Sequence, residues 1–463
     1  MSGNATDPDP TDDELVLLAD ADRRARTWTA GIGSSARRVF PSAESLAGLS
    51  RLDEPLTTAG RPAGETIAML DEVAGDCVVA SNDPRYFGFV VGSTLPVAAA
   101  AERIALAWDQ CASSFDNSPA AHVLEKQAGR WVLDALDLPR ASAVGFTTSA
   151  TAGAVTALTA ARRALLLRHG WDVDQRGLHG APTVRVVIGE LAHITVVRAL
   201  RILGFGLENI ERAPVDEHAR VTAAAMPDLD DLTLVILQAG EVNTGEFDPF
   251  ADIIPAARRA GAWVHVDGAF GLWARASQTH RVLTTGIDAA DSWTTDGHKW
   301  LNTPYDSAMV IVRDADALSS AMNSDAVYLA GSADAQKNLT LEFSRRARGI
   351  PIWAVLRTLG ADGVEELVDR CVDLARHAAE GLRANGFTVL NRCVLNQVLV
   401  RGETPEQTET VRDRLQQSGR VWFGPTVWQG EPAFRVSVSS WRTRREHIDE
   451  LVELLTAELA RSR

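Results

Sequence analysis

The spacing of apolar and polar positions changes character along the chain. Residues 13–75 read as helical, with segments near Asp13–Arg26 and Ala63–Cys77. The stretch Pro84–Ala101 is apolar and glycine-bearing and runs into a helix through Trp108. Over Pro119–Leu136, the residues Val123, Leu124, Ala128, Trp131, Val132 and Leu136 recur at the spacing of one helix face. From about residue 143 short apolar runs alternate with amphipathic ones. Strands are predicted at Ala143–Phe146, Thr183–Ile188, Leu232–Leu237, Trp263–Val266, Ser292–Thr295 and Ala308–Val312. Helices at Ala154–Arg168, His193–Leu203 and Phe250–Ala260 separate them. That alternation predicts an α/β fold, a mostly parallel sheet with helices on both faces. Beyond about 350 a long helical stretch, Pro351–Asn385, precedes strands near Thr388–Leu390, Gln397–Val400 and Phe434–Ser439 and helices Pro405–Ser418 and Arg445–Arg461. This predicts an N-terminal helical segment (1–80), a large α/β domain (81–350) and a small C-terminal α+β domain (351–463). Residues 1 to about 12, polar and rich in Pro and Asp, have the composition of a disordered segment.

Composition narrows the function. The 463 residues imply two or three domains. With 46 Lys and Arg against 61 Asp and Glu, the formal charge of −15 repels polyanions, which argues against nucleic-acid and anionic-membrane partners. No apolar run reaches the roughly 18 residues that span a bilayer. Seven acidic residues precede Arg23, the first basic one, unlike a signal or transit peptide. Cys77, Cys111, Cys371 and Cys393 form no CxxC pair and fit reduced thiols better than a disulfide framework or a zinc site. The chain reads as a cytoplasmic enzyme with no structural metal.

Only three of the 46 basic residues are lysines (Lys126, Lys299, Lys337), and tyrosine occurs only at Tyr86, Tyr305 and Tyr328. Lys126 lies on the polar side of a helix and Lys337 in the polar stretch Ala335–Asn338, so both read as solvated. Lys299, in Asp296-Gly-His-Lys-Trp-Leu301, follows a strand beside two apolar residues. A desolvated lysine there would be a nucleophilic amine, or else a surface lysine laid along Trp300. Asp267 closes the strand Trp263–Val266, where a carboxylate needs a cation or hydrogen bonds, or serves as a turn aspartate. His265, inside that strand, reads as a core histidine. The turn Thr147-Thr-Ser-Ala-Thr151 at a helix start suits a phosphate, or is an ordinary cap. No GxxxxGK[ST] supports a nucleotide loop. Taken together, a phosphate cradle, a buried Asp 32 residues before a Lys, and that Lys in an apolar turn match the needs of pyridoxal 5′-phosphate. His193, at a helix start, can cover the ring.

These residues resemble the fold-type I pyridoxal-phosphate enzymes, and among them the group II amino-acid decarboxylases (aromatic-amino-acid, glutamate and related decarboxylases). The carrying segments are Gly145-Phe-Thr-Thr-Ser-Ala-Thr151, Ala192-His193 with Val197-Arg-Ala199, and Trp263-Val-His-Val-Asp-Gly-Ala-Phe270. With them go Asp291-Ser-Trp-Thr-Thr-Asp-Gly-His-Lys-Trp-Leu301 and Ser344-Arg-Arg-Ala-Arg348. Their order and spacing cover about residues 80–360.

The resemblance implies a seven-stranded, mostly parallel sheet and a homodimer with shared active sites. Lys299 would form the Schiff base, Asp267 would pair with the pyridine nitrogen, His193 would stack on the ring, and Ala269 would pack on its other face. Ser149, Ala150 and Thr151 in the phosphate turn, with His298, would hold the phosphate. Asn243 and Thr244, in Gly240-Glu-Val-Asn-Thr-Gly245, would border the cofactor. In Pro84-Arg-Tyr-Phe-Gly-Phe-Val-Val-Gly-Ser-Thr-Leu-Pro96, Phe87, Phe89 and Ser93 would face the substrate; Arg85, Trp108 and Trp273 suggest further pocket wall or core. Tyr328, 29 residues after Lys299, falls where these decarboxylases carry the tyrosine that protonates the product carbon. The reaction implied is decarboxylation of a small or aromatic L-amino acid to the amine and CO₂. Two departures stand out: a short polar Ala330–Phe343, and Ala150-Thr-Ala152 in place of a Gly-Gly at the phosphate turn. They leave open a β-lyase, a decarboxylation-dependent oxidative deamination to the aldehyde, or an aminotransferase on the same scaffold. A non-catalytic protein with a relic site is the alternative of a different class.

Overall fold

The computed structural model describes residues 10–323 and 335–462. Its strands are β1 (Tyr86–Phe87), β2 (Ala143–Thr147), β3 (Arg185–Gly189), β4 (Ile210–Ala213), β5 (Thr233–Gln238), β6 (Trp263–Asp267), β7 (Ser292–Asp296), β8 (Ala308–Val312), β9 (Thr388–Val389), β10 (Gln397–Arg401), β11 (Trp422–Trp428) and β12 (Glu431–Ser437). Seven of them form the large sheet in the order β2-β8-β7-β6-β5-β3-β4. Only β8 runs against its neighbours there.

The strands of this sheet are apolar in both alternating sets, because each set meets a separate layer. Val186 and Ile188 of β3, with Leu234 and Ile236 of β5, pack on Leu158 and Leu165 of the helix Ala150–Arg168. Val187, Val235, Leu237, Val264 and Val266 point to the other face and join Phe270, Trp273 and Trp293. That second core continues without a break into the C-terminal sheet through Val398, Phe423 and Phe434. Among the described residues no helix is long and apolar enough to cross a membrane.

Several elements differ from the sequence reading. The first helix, Pro10–Ala30, begins inside the segment expected to be disordered, whose first nine residues lie outside the described ones. On the helix Pro119–Ala135, Val123 is 57% exposed while His122 and Glu125 are buried. Lys337 is buried, not solvated; its ammonium sits 5.0 Å over the Phe343 ring. The long C-terminal helical stretch, Gly349–Ala384, is broken at Gly360, whose φ of 63° suits glycine. β1, within the stretch assigned to the large domain, pairs in parallel with β11 of the small sheet, Tyr86 with Trp422 and Phe87 with Phe423.

Candidate active site

The carboxyl ends of β2, β3, β5, β6 and β7 converge, as ligand sites in open α/β sheets do. Ser149 ends the turn after β2 and caps the next helix, its Oγ accepting from Ala152 N–H at 3.3 Å. Ala150, the first residue of that helix, donates its N–H to Asp296 Oδ1 at 2.8 Å, and Thr151 stands half-buried beside it. His193 caps the helix Ile194–Ile202 after β3; its N–H donates to Gln238 Oε1 (2.9 Å) and its Nδ1 lies 2.7 Å from Thr195 Oγ1. Asp267 ends β6 and accepts from Ala269 N–H at 3.3 Å. Asp296 ends β7, and one turn later Lys299 Nζ returns to within 3.1 Å of Asp296 Oδ2.

A cavity of about 250 Å³ opens at this junction, with His193, Asp267, Ala269 and Lys299 in its wall. Phe89, Val90, Val242 and Phe270 supply apolar wall, and Arg435 of β12 closes it from the small sheet. Burial pushes the Asp267 carboxyl above its ordinary range, with His193 and Lys299 acting the other way. Burial likewise lowers His193, with Lys299 adding to the effect and Asp267 opposing it, so the imidazole is held neutral. His298 is also lowered by burial; its ring stacks on Tyr305 at 4.7 Å, and its buried Nδ1 has no hydrogen-bond partner among the described residues. His265 does not reach the cavity: burial drives it to about 3, and its Nδ1 sits 2.9 Å from Ser292 Oγ.

The backbone around Lys299 is gripped from two sides. Asn302, at φ 55°, donates its side-chain amide to the carbonyls of Trp300 (2.7 Å) and Ser439 (3.0 Å). Gly92 N–H donates to the His298 carbonyl at 3.0 Å. Trp273 Nε1 donates to the Asp296 carbonyl at 3.2 Å.

Other residues singled out in the sequence fall elsewhere. Phe87 is fully buried in the core and Ser93 is fully buried against Asn82 and Ser440, so neither reaches the cavity; of that trio only Phe89 does. The physical reason is strand alternation and the tight turn: β1 points Phe87 inward, and Phe89 and Val90 take left-handed φ of 53° and 54° that swing them to the cavity. Asn243 and Thr244 turn away from it. Glu241 binds both of their N–H groups, at 2.8 and 2.7 Å, and their side chains too, leaving Gly240 and Val242 as the lining residues of that loop. Arg85 forms a buried ion pair with Asp83 at 2.9 Å, Trp108 is 48% exposed, and Trp273 belongs to the core. Tyr328 lies outside the described residues.

Sequence reasoning missed Asp296, Gln238, Glu241 and Arg435. The signal for Arg435 is its alternation: Phe434, Val436 and Val438 share one face of the strand, so Arg435, Ser437 and Ser439 share the other, polar one.

Pyridoxal 5′-phosphate fits these residues. A buried carboxyl, a lysine amine and a neutral imidazole share one cavity opposite a small alanine, beside a helix start with an N–H aimed at a carboxylate and a buried imidazole nitrogen left unbonded. Fold and site therefore define a fold-type I pyridoxal-phosphate enzyme. Residues 66–400 match the family model of the pyridoxal-dependent decarboxylase conserved domain. The chain belongs to that family. It is 27% identical over 419 residues to tryptophan decarboxylase 1 of Oryza sativa subsp. japonica, spanning 81% of each chain. It is 26% identical over 384 residues to the aromatic-L-amino-acid decarboxylase of Bacillus atrophaeus (79% and 77%), and 26% over 441 residues to the L-2,4-diaminobutyrate decarboxylase of Rhizobium meliloti (89% and 86%). Its fold matches the solved structure of Oryza sativa TDC with PLP and tryptamine at a TM-score of 0.88, with 24% identity over 99% of both chains. The chain is thus a pyridoxal-phosphate-dependent carboxy-lyase that decarboxylates an amino acid.

Proposed function

We propose that the substrate is an L-amino acid with an aromatic side chain, converted to its amine and CO₂. The observation that carries this reading is the cavity wall: Phe89, Val90, Val242 and Phe270 face the same space as Lys299. Relatives that act on tryptophan and aromatic amino acids support it. An acidic side chain is the second reading. Arg435, 8% exposed with its Nε unbonded among the described residues, favours an anion in the cavity, and another relative is an aspartate decarboxylase.

When bound, the cofactor withdraws the electron pair of the broken bond into its protonated ring. The chain's own groups have the following parts in this proposal. Lys299 would hold the cofactor through its amine. Asp267 gains in the pyridine N–H the cationic partner its burial calls for, and so keeps that proton in place. His193 and Ala269, both in the cavity wall, would pack on the two faces of the ring and orient the bound amino acid. Ser149, Ala150, Thr151 and His298 take the phosphate at the helix start. Tyr328 hands a proton to Cα after CO₂ leaves.

The assembly we infer is a cytoplasmic homodimer. Leu15, Val16 and Leu18 on the first helix are 60, 70 and 56% exposed in the single chain, an apolar face suited to a second copy. The chain divides into an N-terminal helical segment (1–80), a large cofactor domain (81–350) and a small C-terminal domain (351–463), with β1 of the large domain adding to the small sheet.

A panel of proteinogenic amino acids, assayed for CO₂ and amine, tests the substrate. Aromatic substrates turned over at least tenfold faster than acidic ones support the first reading, and the reverse order replaces it. Lys299→Ala should lose the visible absorbance band of lysine-bound cofactor. Tyr328→Phe should retain that band, slow amine release by roughly 10²-fold and raise the aldehyde yield. Amine at the wild-type rate from that variant would remove Tyr328 from the mechanism.

A further inference from the structure

Asp296 closes β7 with only 2% of its surface exposed, and both of its carboxylate oxygens are engaged. Oδ1 accepts from Ala150 N–H at 2.8 Å, while Oδ2 lies 3.1 Å from Lys299 Nζ and 3.8 Å from His298 Nε2. These three groups are the ones the proposed function gives to the cofactor: the helix-start N–H and His298 to its phosphate, the lysine amine to its carbonyl carbon. The carboxylate therefore occupies the Ala150 N–H that the phosphate needs and pairs with the Lys299 amine, with His298 Nε2 close by at 3.8 Å.

Asp296 cannot withdraw by a shift of its backbone. Its N–H donates to the Ala269 carbonyl at 2.9 Å and its carbonyl accepts from Trp273 Nε1 at 3.2 Å. The next residue is hemmed in: a Cβ on Gly297 would stand 2.5 Å from Ser307 Oγ and 2.6 Å from Thr303 Oγ1. Only rotation of the side chain can free the cradle, and a carboxylate so rotated still lies near the incoming phosphate in a buried site, where like charges repel more strongly than in water.

We propose that Asp296 is an internal competitor of the cofactor's phosphate. It neutralises Lys299 and satisfies the helix start in the cofactor-free enzyme, and it holds the affinity for pyridoxal phosphate below what the cradle alone would give. The inference rests on the cofactor reading above. It predicts effects of opposite sign when the charge is removed: tighter cofactor binding, but a less stable cofactor-free protein. A residue that merely supports the fold would weaken both.

The test uses cofactor-free wild type, Asp296→Asn and Asp296→Ala, each titrated with pyridoxal phosphate and with unphosphorylated pyridoxal and followed by the visible band. The alanine variant, which frees both donors, serves if the amide does not fold. The dissociation constant for pyridoxal phosphate should fall by roughly tenfold or more in the variants, while that for pyridoxal changes by less than about threefold. Melting of the cofactor-free variants should begin at lower temperature than that of wild type. Unchanged or weaker binding of pyridoxal phosphate in the variants overturns the proposal, as does an equal gain for pyridoxal, which would place the effect on the lysine and not on the phosphate. Wild type that forms no band at saturating pyridoxal phosphate removes the cofactor reading itself, and the competitor with it.

Discussion

Gly92 rests against the carbonyl of Lys299: a Cβ built on Gly92 would come 2.1 Å from that oxygen and 2.9 Å from the Asn302 side chain. The same segment donates Gly92 N–H to His298 and Leu95 N–H to Asn302, at 3.0 and 2.8 Å. It is a backbone brace on the turn that carries the lysine.

Gly92→Ala should push that turn aside. Overpacking against a fixed backbone costs about 1–3 kcal/mol, and displacing the lysine by even a fraction of an ångström disturbs its alignment. The variant should unfold at lower denaturant and bind pyridoxal phosphate at least roughly tenfold more weakly. Wild-type affinity in a stably folded variant would show that the brace yields without moving Lys299.

A second test concerns a buried pair away from the cavity. Arg345 and Glu125, 1 and 2% exposed in their side chains, make two parallel hydrogen bonds of 2.8 Å, and Glu125 Oε1 also accepts from Gly349 N–H at 3.0 Å. Arg345→Met leaves a carboxylate buried without its cation and should cost about 3–5 kcal/mol. Arg345→Met combined with Glu125→Leu should recover part of that loss, since the orphaned charge is gone. A double variant less stable than the single one by the full cost of Glu125→Leu would mean the two residues are energetically independent.

The pair also shows what sequence could and could not convey. Arg345 belongs to one of the motifs that carry the family resemblance, yet its partner Glu125 lies 220 residues earlier, on a helix whose apolar periodicity does not single it out. Local rhythm sufficed for β5, β6, β7 and β8, because strands buried on both faces are continuous apolar or small-residue runs. It missed β4, an edge strand with two charged residues, and β1, two residues long and paired with a strand more than 330 positions away. Motif and strand end single out Lys299, Asp267, His193 and Ala269, and the structure gathers these four in one cavity wall. Phe87 and Ser93 lie buried away from the cavity because a left-handed turn at Phe89 and Val90 decides which side chains face it, and that turn has no glycine at those two positions to announce it. Alternation marks Arg435 as polar within its strand, but only the packing of the small sheet on the large one brings it into the wall of the Lys299 cavity.

Asp248 provides a pH test of the scaffold. It accepts from Val221 N–H at 2.8 Å and Gln238 N–H at 2.7 Å, and burial pushes its carboxyl up to about 6 from an unfolded value of 3.8. A raised folded value means that its contribution to stability is fully present below the unfolded value and is lost as pH rises through about 6. The loss across that window is at most about 3 kcal/mol. Asp248→Asn removes the titration and one acceptor. Its stability should be lower throughout, but should fall less than that of wild type between pH 4 and pH 6, as urea unfolding at each pH would measure. Parallel curves for the two proteins would show that Asp248 titrates alike in the folded and unfolded chains.

Arg435 offers the sharpest division between the two substrate readings. Its guanidinium donates to the Val242 carbonyl at 3.0 Å, reaches Asn243 Oδ1 at 3.4 Å, and keeps a buried Nε without a partner. The loop it leans on is held by Glu241, whose carboxylate gathers the N–H groups of Asn243 and Thr244. A cation fixed in this way can meet either the α-carboxylate or a side-chain carboxylate. The two cases differ in the rate step. A charge bound to the α-carboxylate stabilises the group that must leave as neutral CO₂, so it tightens ground-state binding and contributes nothing to the bond cleavage. Arg435→Met should then raise KM for every substrate by roughly tenfold with kcat unchanged or higher. If the guanidinium instead grips a side-chain carboxylate, the variant should lose roughly 10²-fold in kcat/KM on acidic substrates alone. Glu241→Gln should follow the pattern of Arg435→Met at smaller amplitude, because it loosens the loop that aims the guanidinium. A fall in kcat on aromatic substrates at constant KM fits neither case and would place Arg435 at the reacting bond itself.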